Sequence, residues 1–274
     1  MPIRPAHTAP QLRLSTAVLA GRLLFVDAKI WLGLASNRLA VAAIWLLAAS
    51  AVPLWTTEAV ARPMSRVFLN GVPAPVYFND GDSFTVLGGP MDGTKARLAG
   101  YNTLESFGPV HRWGKWSAHE LYVQSKMATL NARRGVWHCH SELNRDGYGR
   151  ILWTCPDLIL DQIRKGMAHA MTVTEEPAPP DQLEAMRSAQ AEKRGIWAHG
   201  IPEYILTSTH SNDEGYAGAT YNRLVSTKTG ASRKWLHGDI YKDCQEVCHE
   251  TGSCMVHVAF NKRYGPQRAG CLSH

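Results

Sequence analysis

All six cysteines of this 274-residue chain fall in its second half, at Cys139, Cys155, Cys244, Cys248, Cys254 and Cys271, behind an uncharged apolar run from Leu39 to Trp55. That order constrains the fold more than any other feature. Five basic residues and one acid, Asp27, precede the run, and Ala59-Val60-Ala61 follows it. A charged n-region, an apolar h-region and a small-x-small site describe an export signal. The run is 17 residues long, which also reaches membrane-spanning length. Residues 1–61 therefore read as a signal peptide or a signal anchor. The basic flank stays cytoplasmic, so the rest of the chain is expected outside, periplasmic or secreted, and at a membrane only if the segment is uncleaved. An even number of cysteines in an exported chain points to disulfides.

The same segment changes what the charge means. The chain carries 29 basic and 23 acidic residues, a net +6. Five of those basic and two of those acidic residues lie in residues 1–61, so the remainder carries only +3. A global electrostatic argument for nucleic acid weakens accordingly, and specific arginines must carry it. With 45% hydrophobic residues, the chain is neither disordered nor a mini-protein that needs disulfides in place of a core.

Residues 66–115 read as strands. Val76-Tyr77-Phe78 runs into the turn Asn79-Asp80-Gly81-Asp82, Ser83–Leu87 resumes the extended pattern, and Arg97–Tyr101 forms a third strand. Val123, Met127 and Leu130 carry a helical period within residues 117–133. Two further strands, 136–140 and 151–155, flank Asn144–Gly149, and helices follow at about 157–169 and 181–194. The predicted fold is α+β, mainly β: a five-stranded Greek-key barrel of OB type with three helices. Residues 199–240, rich in Ser, Thr, Asn and Gly, read as a linker. Residues 241–274 read as a small, separate, disulfide-rich unit.

Four polar elements stand out in the barrel region: Asp80-Gly81-Asp82-Ser83, Arg97, Asn102-Thr103-Leu104-Glu105, and Asp146-Gly147-Tyr148-Gly149-Arg150. Each alone is an ordinary turn, strand or loop feature. In this order they resemble the staphylococcal nuclease family, together with Gly166-Met167-Ala168 and the helix from Glu184 to Lys193-Arg194-Gly195-Ile196-Trp197. The resemblance covers about residues 66–198. It implies a calcium-dependent phosphodiesterase that acts on DNA or RNA, cleaves the P–O5′ bond and leaves 3′-phosphates. Carried over position by position, Asp82 is a metal carboxylate and Thr103 offers its backbone carbonyl. Glu105 orients or deprotonates water, and Arg97 and Arg150 clamp the phosphate.

Those residue types suit the chemistry. Attack on a phosphodiester builds charge on nonbridging oxygens, which arginine meets with a fixed fork of donors. Calcium takes hard oxygen ligands. A carboxylate near water supplies general-base catalysis. The sequence departs from the family at two places. The second metal carboxylate falls on Asn102, an uncharged ligand, which weakens a calcium site. The two nucleotide-pocket tyrosines fall near Thr172 and Thr174, leaving Tyr101, Trp113 and Trp116 either to stack a base or simply to pack. The rival reading is a non-catalytic exported module that binds nucleic acid or a partner.

His138-Cys139-His140 alternates on a strand, so the two histidines share one face and Cys139 takes the other. That separation argues against a shared metal. His111, His119 and His169 have no common spacing and receive no role. Cys139 and Cys155 sit on strands flanking the hairpin that presents Arg150, and a bridge between them is expected. It closes a loop of 17 residues, worth roughly 3 kcal/mol. Cys244 and Cys248 lie one helical turn apart, with zinc as the competitor to disulfides. The last unit is similar to half of a PAN/apple module. That similarity implies Cys244–Cys271 and Cys248–Cys254 pairing and a protein or carbohydrate partner.

Overall fold

The computed structural model describes residues 65–209, 220–250 and 252–272. The apolar run and its flanks lie outside the described residues. Among the described residues the architecture is mixed α+β, mainly strands, with three α-helices. No helix among the described residues is long and apolar enough to cross a membrane.

β1 (Ser65–Leu69) and β2 (Val72–Asp80) form a hairpin. Its turn residues Asn70 and Gly71 both take positive φ, 48° and 84°, the backbone a type I′ turn demands. β3 (Ser83–Val86) and β4 (Lys95–Leu98) continue antiparallel. β7 (Val136–Cys139) lies parallel to β1, and β8 (Ile151–Trp153) parallel to β4. The principal sheet thus has six strands, in the order β7-β1-β2-β3-β4-β8, where five were expected. The sheet curls into a half-barrel. Its two edge strands approach at one point, where His140 and Thr154 exchange both backbone hydrogen bonds at 2.9 Å and Cys139 is bonded to Cys155. Cys139 is buried and His138 and His140 are exposed, as strand alternation requires.

α1 (Ala118–Arg134) opens on a reciprocal capping box between Ser117 and Glu120. Its orientation differs from the sequence reading. Val123, Met127 and Leu130, which carry the period, are about 40% exposed. The buried face is Leu121, Ser125, Ala128, Thr129 and Ala132. The reason is proximity: the chain at Gly81 comes so near α1 that an added Cβ would sit 3.0 Å from that of Ala128. α2 (Pro156–Arg164) and α3 (Pro180–Ala191) both begin on proline, which is pre-set for a first turn and has no N–H to waste. α2 stops short of the expected end because the chain turns at Gly166 into β9 (Ala168–Ala170). β9 pairs with β5 (Tyr101–Thr103). Phe78, Phe84, Leu98, Trp113, Trp153 and Trp197 fill the core, each no more than 1% exposed.

Residues 199–240 are not a plain linker. β10 (Tyr204–Thr209), β11 (Tyr221–Ser226) and β12 (Ser232–Leu236) form an antiparallel sheet. Their polar composition hid them, because several polar residues face inward and make hydrogen bonds there. Asn222 donates to the Tyr241 hydroxyl at 2.8 Å, and Thr207 Oγ1 to the Arg223 carbonyl at 3.2 Å.

The C-terminal segment also differs from its reading. The residues from Cys244 to Cys248 hold no helical turn. β13 (Glu246–Cys248) pairs with β14 (Ser253–Val256), and β14 pairs in turn with β6 (Val110–Trp113). The segment is therefore hydrogen-bonded to the region expected to stand apart from it. Arg112 on β6 reinforces this with two bonds to Glu246, at 2.5 and 2.7 Å. All three expected disulfides are present: Cys139–Cys155, Cys244–Cys271 and Cys248–Cys254. They leave no thiolate for zinc and suit an oxidising environment.

Candidate active site

β3, β4 and β5 deliver four of the expected residues to one point. Ser83 and Arg97 are cross-strand partners, so Asp82 at the end of the turn faces the Arg97 guanidinium. Arg97 Nη1 donates to Asp82 Oδ1, and Nη2 donates to Asn102 Oδ1 at 2.5 Å. Asp82 Oδ2 accepts from the Thr103 amide at 2.8 Å and from its hydroxyl at 3.1 Å. Asn102 Nδ2 donates to the Thr103 carbonyl at 2.8 Å. Asp82, Asn102 and Thr103 are buried. The turn must be glycine at 81, because a Cβ there would lie 2.5 Å from the Thr103 side chain. Tyr101 closes the arrangement by donating from its hydroxyl to the Gly81 carbonyl at 2.7 Å.

Asp80 belongs to the same cluster, although its only sequence signal is its place in the Asp-Gly-Asp turn. It accepts from the Ser83 hydroxyl at 2.6 Å. Burial, with the charges of Asp82 and Glu105, pushes its carboxyl up to about 8. Burial likewise raises the Glu105 carboxyl. The positive charge of Arg263 opposes that rise most, Asp82 adds to it, and Arg97 and Arg150 oppose it. Three carboxylates thus repel one another at the end of the sheet, among three arginines. Arg150 is held to Asp146 by Nε at 2.7 Å, within the hairpin.

Beneath the cluster lie two buried histidines that no sequence pattern singled out. The Glu105 amide donates to His111 Nε2 at 3.3 Å, a bond that only the neutral ring accepts. Burial, with the nearby His169, drives the His111 pKa down to about 3. His169 is the cross-strand partner of Asn102, and burial lowers its pKa to about 4. A neutral His111 therefore fixes the backbone that carries Glu105.

The oxygen set fits a hard cation. Asp80, Asp82, the Asn102 amide oxygen and the Thr103 carbonyl are ligand types that calcium accepts. Asp82 Oδ1, Asn102 Oδ1 and the Thr103 carbonyl each accept one side-chain hydrogen bond and keep a second lone pair. Mutual repulsion of the carboxylates is what a cation would relieve. Elsewhere among the described residues, Glu246, Cys248 and Cys254 approach each other, but both cysteines are in their disulfide.

Tyr101, Trp113 and Trp116 are buried and present no face to a base. Thr172 and Thr174 are tied into the β11–β12 hairpin. The Thr172 amide donates to the Gly230 carbonyl and the Ser232 amide to the Thr174 carbonyl, both at 2.8 Å. The aromatic residues that do stand exposed near Glu105 are Phe107 and, from the C-terminal segment, Phe260 and Tyr264. The chain matches no protein-family model and no curated protein sequence.

Proposed function

We propose that the chain is an exported nuclease of the staphylococcal nuclease type, an OB-type barrel that hydrolyses phosphodiester bonds of DNA or RNA with calcium. The observation that carries this reading is the convergence of Asp80, Asp82, Glu105, Arg97 and Arg150 around one polar cluster. Asp82, the Asn102 amide and the Thr103 carbonyl would hold the cation, with Asp80 beside them. Bound calcium supplies Lewis acidity and lowers the pKa of water in its reach. Glu105 accepts the proton of the attacking water, which its raised pKa favours. Arg97 exchanges its grip on Asp82 and Asn102 for the nonbridging oxygens, and Arg150 meets the same charge. Asn102 supplies one charge fewer than a carboxylate, so weak calcium affinity is expected.

The second reading, a binding module without catalysis, draws on one observation: Arg97 already engages both Asp82 and Asn102. A cleavage assay separates the two. Single-stranded DNA is incubated with the oxidised chain, with calcium, with chelator, and with Glu105→Gln alongside. Calcium-dependent cleavage lost in Glu105→Gln supports the nuclease. A folded protein that cleaves under no metal tested sinks it.

A further inference from the structure

Side chains from three distant stretches of the chain meet beside Glu105. Phe107, two residues on, is 37% exposed, and Phe260 and Tyr264 are 68% and 55% exposed. The Tyr264 ring lies 6.1 Å from Phe107 and 6.4 Å from Phe260. The Lys126 ammonium sits 4.2 Å from the Phe107 ring centroid and donates to the Ser106 carbonyl at 2.7 Å. The Arg263 stem crosses Gly108 so closely that a Cβ there would come within 2.7 Å of its Cδ. A cavity of about 290 Å³, lined by Asn79, Phe107, Lys126 and Leu130 among others, adjoins this surface.

Exposed rings of this size leave apolar area in water that a core would otherwise hide. They are nonetheless fixed in place. The 260–264 turn is tied down by the Ala269 amide on the Lys262 carbonyl at 2.9 Å, by the Cys244–Cys271 disulfide, and by the packing of Val110, Val258, Ala269 and Leu272. Electrostatics agree with the placement: the Tyr264 phenol is raised by burial, lowered by Arg263, and raised again by Glu105 and Asp80. Rigid exposed rings flanked by cations suit successive bases of a single strand, whose faces stack while its phosphates meet the cations.

We propose that Phe107, Phe260 and Tyr264 form a base-stacking subsite for single-stranded nucleic acid, with Arg263 and Lys126 on the flanking phosphates. The substrate class rests on the nuclease reading, but the surface is tested by binding alone. The full oxidised chain is titrated, in chelator, with oligothymidylate and with an abasic oligomer of equal length. Wild type is expected to prefer oligothymidylate. Phe260→Ala with Tyr264→Ala weakens oligothymidylate by roughly thirtyfold or more and leaves the abasic oligomer unchanged, while Tyr264→Phe keeps the preference. Arg263→Gln weakens both oligomers alike and lowers the salt slope by about 0.7. Equal affinity of wild type for the two oligomers, or an equal loss for both in the double variant, overturns the proposal. Base preference without cleavage under any metal sinks the nuclease reading and leaves the subsite standing. Cleavage without base preference sinks the subsite alone.

Discussion

The two halves of the folded region are built on different terms. Around β1–β8 one continuous core holds the molecule, with Phe78, Phe84, Leu98, Trp113, Trp153 and Trp197 at its centre. Around β10–β14 the core breaks into two small groups, one of Leu206, Leu224, Tyr241, Val247 and Met255, the other of Val110, Val258, Ala269 and Leu272. Two of the three disulfides lie in this second region. Where apolar burial is plentiful a disulfide adds to stability; where burial is scarce it substitutes for it. The chemistry divides the same way. The core-rich half fixes the acids and two arginines, and the core-poor half brings exposed rings and Arg263 to their edge.

The largest effect that sharpens this division is catalytic. Glu105→Gln is expected to lower cleavage about 10²–10⁴-fold with the thermal midpoint nearly unchanged, read by initial rates and calorimetry on the same samples. Phe260→Ala with Tyr264→Ala should instead spare kcat and raise KM. A fall in kcat equal to that of Glu105→Gln would erase the distinction between the halves.

Next are the disulfides. Removing Cys139–Cys155 as a serine pair costs about 3 kcal/mol, a midpoint shift of roughly 6–12 °C, with unfolding still cooperative. Removing Cys244–Cys271 carries a similar entropic cost but acts on a smaller core. Its first sign is cleavage by added protease within residues 204–272 while β1–β8 stays intact. Equal protease resistance in the two serine pairs would break the comparison.

Protonation gives a third measure. His111 and His169 have folded-state pKa values near 3 and 4, below the ordinary 6.5. The unfolded chain therefore takes up protons first as pH falls. Their contribution is complete above about pH 6.5 and declines below it, by about 2 kcal/mol for each ring at pH 5. Denaturant unfolding at pH 7 and 5, with His111→Asn as control, reads this directly; the control should lose less stability between the two.

A smaller effect concerns the metal. Asn102→Asp restores a ligand charge and should tighten calcium about tenfold, measured by calorimetric titration. An unchanged affinity would place the cation elsewhere. The smallest effect is at the seam between the halves: Arg112→Ala removes an ion pair that is about 40% exposed on both sides and should cost no more than about 1 kcal/mol.

Much of the core-rich half was legible in the sequence because its signals are local. The Asp-Gly-Asp turn and the alternation that buries Cys139 each span a few residues, and backbone sterics or pleat read them directly. The Cys139–Cys155 bridge followed from one hairpin. The family resemblance grouped Asp82, Arg97, Asn102 and Thr103 as one site, and in the fold hydrogen bonds join them.

Only the tertiary structure decided the rest. Which face of α1 is buried depended on how near Gly81 comes, and no helical period encodes that distance. Strands β10–β12 hide their polar residues inward, so composition alone read them as loose chain. Above all, β14 meets β6 across some 140 residues, and that pairing sets Arg263 and Tyr264 beside Glu105. A contact between such distant segments leaves no periodicity in either one; it exists only once the intervening chain has folded and their backbone hydrogen bonds have found each other.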